Sequence, residues 1–150
     1  MTISVRGADD LADLGRALRE SGDRELRREL FRALNRATKE PKAAAKKELS
    51  SVLPSGSRIH FAGLRLNTRT RVSGRWPGVR VQSGKSNHDW AALNRGRLRH
   101  PLFGRRGPGQ WFNTSIEPGW FSRPMGAAVD QMRGEILTAI DDVRRRVAAS

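Results

Sequence analysis

Met125, Val129, Met132, Ile136, Ile140, Val143 and Val147 recur at spacings of four, three, four, four, three and four residues. Side chains at that spacing share one face of an α-helix, so the end of the chain must lay an apolar stripe against something. Burying each one contributes about 1.5–3 kcal/mol before the cost of ordering it. Seven of them make this helix a main anchor, packed either on a sheet of its own chain or on another subunit. Ser122 is placed to cap it and Pro124 falls in its first turn, where a missing N–H costs nothing.

The N-terminal third is also helical in pattern. Thr2 to Arg6 alternates polar and β-branched residues and predicts a short strand ended by Gly7. Asp10 is the expected cap of a helix whose Leu11, Leu14 and Leu18 line one face, stopped at Ser21-Gly22. Asp23 caps the next, in which Leu26, Leu30, Phe31, Leu34 and Ala37 form the stripe. That helix runs to about Lys39 and kinks or restarts at Pro41, in a tolerated first-turn position, and Lys42 to Leu49 is rich in strong helix formers. Pro54-Ser55-Gly56 closes this half.

Periodicity then changes. Thr68 to Val72 and Gly78 to Gln82 alternate with period two, joined by turn residues Ser73 to Pro77, which predicts an antiparallel hairpin. Val72, Val79 and Val81 supply its buried face, and Arg69, Arg71 and Arg80 point to solvent or a partner. Ile59, Phe61, Leu64 and Leu66 leave residues 57–67 open between a strand and a mobile loop. A helical turn is expected over Asp89 to Leu93, a Gly- and Arg-rich loop from there to about Gly109, and a strand over Trp111 to Ile116. The elements sum to one α+β domain over residues 1–150, a small antiparallel sheet packed by long N-terminal and C-terminal helices.

Charge is distributed unevenly. Residues 1–50 hold twelve basic and nine acidic side chains, and residues 111–150 hold five of each. Residues 51–110 hold twelve basic side chains against the single acid Asp89, which accounts for eleven of the net fourteen positive charges. Eleven of those twelve are Arg, Lys85 being the exception. A GC-rich genome explains a preference for Arg over Lys but not the near absence of acids. A planar guanidinium suits carboxylates and phosphates, so the middle of the chain reads as a surface waiting for negative charge. With no Cys, disulfide scaffolds and thiolate zinc sites are excluded. No cationic stretch followed by an apolar run opens the chain and no long apolar run interrupts it, so neither a secretion signal nor a membrane span is expected.

Catalytic patterns are thin. His60, His88 and His100 have no helical metal-binding spacing, and no Ser sits in a nucleophile elbow. His88 with Asp89, or His88 and His100 with Glu117, would be the material for a nuclease, yet acid–base work needs paired groups whose environments separate their pKa values. Residues 104–109 lack the Gly-Lys-Ser/Thr of a phosphate loop. Arg95, Arg97, Arg99, Arg105 and Arg106 cluster beside Phe103 and Trp111, an arrangement that grips phosphates and stacks bases without reading sequence. The rival expectation is therefore a non-enzymatic, sequence-nonspecific nucleic-acid-binding protein.

Residues 93–106 read Leu-Asn-Arg-Gly-Arg-Leu-Arg-His-Pro-Leu-Phe-Gly-Arg-Arg, followed by Gln110-Trp111-Phe112 and Glu117-Pro118-Gly119-Trp120-Phe121-Ser122-Arg123. Over these thirty or so residues the chain resembles the small neck and tail-completion (head–tail joining) family of long-tailed bacteriophages, in its actinobacteriophage form. The order of helices, sheet, Arg-His-Pro-x-Phe-Gly loop, Trp strand and final helix resembles that family too; residues 57–67 resemble it least.

The resemblance implies a structural virion protein with no catalysis and no cofactor. It implies assembly as a ring, six-fold by analogy with tails, among neighbouring neck and tail proteins such as the connector and the tail terminator, with contact to packaged DNA. Its place would be the neck region of the virion, and the host cytoplasm during assembly. His100, Pro101, Phe103, Gly104, Trp111 and Trp120 would shape the loop or a subunit contact, with Trp111 packed under the turn. Arg95, Arg97, Arg99, Arg105 and Arg106 would be the basic docking surface.

Overall fold

A computed structural model describes residues 2–5, 8–20, 22, 24–71, 78–84, 88–101 and 105–149. Strand β1 (Thr2–Val5) is followed by helices α1 (Ala8–Glu20), α2 (Arg24–Ala37) and α3 (Lys39–Val52). A 3₁₀ turn (Ser55–Ser57) leads into α4 (Arg58–Phe61), then β2 (Leu66–Arg71), β3 (Gly78–Ser83), α5 (Trp90–Asn94), β4 (Arg97–Pro101), β5 (Trp111–Ser115) and α6 (Ser122–Ala149). The architecture is α+β, as the pattern predicts.

The long stripe of α6 is buried at Met125, Met132, Ile136, Ile140 and Val143 and half-buried at Val129 and Val147. It runs through two cores. Met125 and Met132 pack with Ala45, Leu49, Leu66, Val81, Trp90, Leu98, Trp120 and Phe121. Ile136, Ile140 and Val143 pack with Leu14, Leu18, Leu26, Leu30, Leu34 and Val79. Helices α1, α2 and α3 supply most of its contacts, so the stripe is satisfied within the chain and chiefly by helices.

Val79 and Val81 lie two residues apart on β3 and are both buried, one in each core, so a single face of the sheet touches both halves. β3 is the central strand, antiparallel to β2 as the hairpin pattern predicts and to β1 on its other edge. The outward face carries Arg69, Arg71 and Arg80, all exposed. Thr38, between α2 and α3, is buried; its hydroxyl donates to the Asn35 carbonyl (3.1 Å) and shares a hydrogen bond with Thr68 Oγ1 (2.6 Å). That pair fastens the helices to β2. Pro41 is the third residue of α3, within the tolerated first turn.

Several local expectations are corrected. Helix α1 begins at Ala8, so Asp10 lies in its first turn rather than at its cap. Residues 57–67 are neither a strand nor a loop throughout: α4 occupies 58–61 and strand geometry begins at Leu66, with Leu64 and Leu66 buried and Ile59 exposed. The stretch from 94 to 109 contains β4, because Leu98 is buried and the strand pairs with β5. The side chain of Leu11, Asp23 as a cap, Val72 and the turn at 73–77, and Lys85 lie outside the described residues.

Candidate functional site

The site is built on α5. Asp89 Oδ1 accepts a hydrogen bond from the Ala92 N–H (2.9 Å), capping the short helix, while Trp90 and Leu93 bury its inner side. Gly96 then reverses the chain at φ +84. A Cβ there would stand 2.7 Å from the Ile116 carbonyl oxygen, so only glycine allows the approach. From this root β4 and β5 run as an antiparallel pair, Arg97 facing Ser115, Arg99 facing Asn113 and Pro101 facing Trp111.

All five residues of β5 are exposed, including Trp111 at 39% and Phe112 at 45%. The Arg99 guanidinium lies 5.2 Å from the Trp111 ring centroid, a diagonal neighbour on the same face of the pair. Trp111 Nε1 donates to the Arg106 carbonyl (3.4 Å). His100 Nε2 is 2.8 Å from Thr114 Oγ1. His100 and Pro101 thus belong to β4 rather than shaping a loop, and Trp111 caps the surface of the hairpin rather than packing beneath a turn.

Trp120 is elsewhere. It is fully buried and packs edge-on to Trp90 (6.1 Å) and Phe121 (5.7 Å), so it is a core residue of this chain and not a contact surface. Phe103 and Gly104 lie outside the described residues. Arg95, Arg97, Arg99, Arg105 and Arg106 are all exposed.

A recess of about 660 Å³ opens between α4–α5 and the β4–β5 pair. Arg97, Arg99, His100, Arg106 and Trp111 line it on the hairpin side, and His60, Phe61, His88 and Asp89 on the helical side. The Phe61 and His88 rings meet at a tilt of 46°, 4.6 Å between centroids, and Trp90 meets both edge-on, at 5.8 and 5.2 Å. The three histidines, far apart in sequence, are brought to one recess. Glu117 is not among the lining residues; it pairs with Arg123, as does Glu48. Its hydrogen bond is the largest cause holding the Arg123 pKa above its ordinary value. The trio of His88, His100 and Glu117 is therefore not assembled.

Charge pairing differs between the flanks and the middle. In the flanks Arg16 pairs with Asp13, Arg145 with Asp142, and Arg146 with Glu29. Among the described residues no arginine from Arg58 to Arg106 forms an ion pair. Asp89, the one acid of that stretch, has its carboxylate committed to the α5 cap. No group of three metal-ligating side chains occurs among the described residues, and no described helix is long and apolar enough to cross a membrane.

His60 and Phe61 were not legible as site residues, because the Pro-Ser-Gly-Ser run before them masks the turn of helix that presents them. Comparison with protein-family models, curated proteins and solved structures finds no match for this chain.

Proposed function

We propose that this chain is a structural virion protein of a tailed bacteriophage, a ring-forming component of the head–tail neck that joins the head connector to the tail tube. One observation carries the reading: β5 is exposed at every residue, Trp111 and Phe112 included, in a two-stranded sheet whose arginines pair with no acid among the described residues. A lone strand pair is marginal in water, and an open edge with aromatic side chains invites a partner. Trp and Arg are the side chains that dominate protein contacts. On the larger sheet Arg69 and Arg80 sit directly opposite one another, exposed, a like-charge pair that an acidic neighbour relieves.

The mechanism is electrostatic docking. Helical stripes hold each subunit together, and the basic middle segment meets acidic surfaces of the connector, the tail terminator or packaged DNA. Six copies close the ring by analogy with tails. Purified protein mixed with its neck neighbours is expected to assemble into closed rings and bind at least one of them. Protein that stays monomeric and binds none contradicts the reading.

The second reading is a sequence-nonspecific nucleic-acid-binding protein, supported by the same arginines, which pair with no acid among the described residues. Its mark is duplex binding that weakens steeply with salt, by about 0.9 per neutralised phosphate on a log–log plot, without incorporation into particles.

A further inference from the structure

The recess between α4–α5 and the β4–β5 pair combines two recognition chemistries. Arg97, Arg99 and Arg106 supply three guanidinium forks without an acidic partner among the described residues. Such forks bind phosphate oxygens bidentately. Trp111, with the Arg99 guanidinium over its ring, and the tilted Phe61–His88 pair are the aromatic groups that line the recess. Aromatic rings and guanidinium planes are the platforms on which nucleobases stack. The volume, about 660 Å³, lies inside the range of small-molecule sites.

We propose that this recess binds a phosphate ester carrying a planar ring, that is, a nucleotide, either free or as one unit of a single strand. An acidic peptide would use the arginines and leave both aromatic walls idle. A duplex keeps its bases paired and stacked, so it offers the recess phosphates alone. Against the three arginines the recess sets one carboxylate, that of Asp89, one of whose oxygens accepts from the Ala92 N–H. The inference goes beyond the neck reading, which assigns no pocket, and beyond the nucleic-acid reading, whose mark is duplex binding, by naming a site and a single nucleotide unit as its occupant.

The test is titration of the full chain, followed by tryptophan fluorescence and calorimetry, with dTMP, an oligo-dT of about five nucleotides, and polyglutamate. Saturable binding of a nucleotide probe is expected. Arg97→Gln/Arg99→Gln should weaken it by about tenfold or more, equivalent to about 1.4 kcal/mol. Trp111→Leu, at a position 39% exposed, should weaken it several-fold, about the worth of one base–aromatic stack. Arg28→Gln/Arg32→Gln, exposed on α2 and remote from the recess, should match the parent. Tighter binding of oligo-dT than of dTMP assigns the single strand as the source, and equal binding assigns the free nucleotide. Three results would overturn the proposal: no saturable binding of either probe, equal losses in the recess and remote pairs, or polyglutamate binding as tightly as oligo-dT. Ring assembly with neck proteins reads none of these, so failure here is separable from failure of the neck reading.

Discussion

The side-chain oxygen of Asn94 accepts a hydrogen bond from the Phe121 N–H at 2.9 Å, twenty-seven residues further along, and another from the Ser122 N–H at 3.2 Å. The Asn94 carbonyl accepts from the Gly119 N–H (2.8 Å) as well. One residue at the end of α5 thereby satisfies two of the backbone donors at the start of α6, while the Arg123 N–H donates to the Gly119 carbonyl. Ser122, the expected cap, is the first residue of the helix, and its hydroxyl accepts instead from Asn94 Nδ2 (3.4 Å). The root of the exposed hairpin and the main helix of the core are joined at this point.

Removing that oxygen should be costly. Asn94→Ala is expected to lower unfolding stability by about 1–2 kcal/mol, the worth of a helix cap. Asn94→Asp should lose less, since it keeps the acceptor and adds a negative charge at the positive end of the helix dipole. Urea denaturation of the three proteins measures both; equal losses for Ala and Asp would show that the oxygen is not what matters.

Trp111-Phe112 and Trp120-Phe121 are the same dipeptide with opposite fates. The first pair is 39% and 45% exposed, the second 0% and 1%. Trp120→Ala should cost about 3–5 kcal/mol, in the range for emptying a large core site. Trp111→Ala should cost about 1 kcal/mol, the scale of a cation–π contact and a partial burial. Thermal or urea unfolding of both variants reads the contrast directly.

Lys42 is half-buried in α3 and donates from Nζ to Thr68 Oγ1 at 2.9 Å. Burial, and then the charge of Lys46, push its pKa below the ordinary lysine value. In the folded state it gives up its proton more readily than in the unfolded chain. Stability therefore carries a penalty below the folded pKa, and the penalty fades as pH rises from there to the ordinary value. Lys42→Met should flatten the alkaline rise in stability relative to the parent; an unchanged slope would rule Lys42 out as its source.

Arg105 and Arg106 are exposed beside β5 and pair with no acid among the described residues. Arg105→Glu/Arg106→Glu should leave folding stability within about 0.5 kcal/mol, as for ordinary surface changes. The same change should abolish docking to an acidic neck partner in a pull-down. Undiminished docking would remove the electrostatic role from this pair.

What could be read beforehand follows the physics of each segment. The α6 stripe is legible because seven apolar side chains repeat at one spacing, and β2–β3 because Val79 and Val81 alternate with polar neighbours. β1 is legible as a strand, but its place beside β3 depends on a pairing across more than seventy residues that local pattern does not encode. β4 is hidden because Arg97-Leu98-Arg99-His100-Pro101 offers one apolar side chain and ends in proline; its geometry comes from pairing with β5 and burial of Leu98. The exposed arginines of the site were legible from composition. The recess was not, since His60, Phe61 and His88 reach Arg99 and Trp111 only through the tertiary fold.

The central claim is that the basic hairpin surface is a joint in a virus particle. Quantitative mass spectrometry of purified tailed particles and of tail-less heads from the same lysate addresses it most directly. The account predicts this chain in tailed particles at the stoichiometry of one ring; its absence from particles that carry tails and infect normally would contradict it.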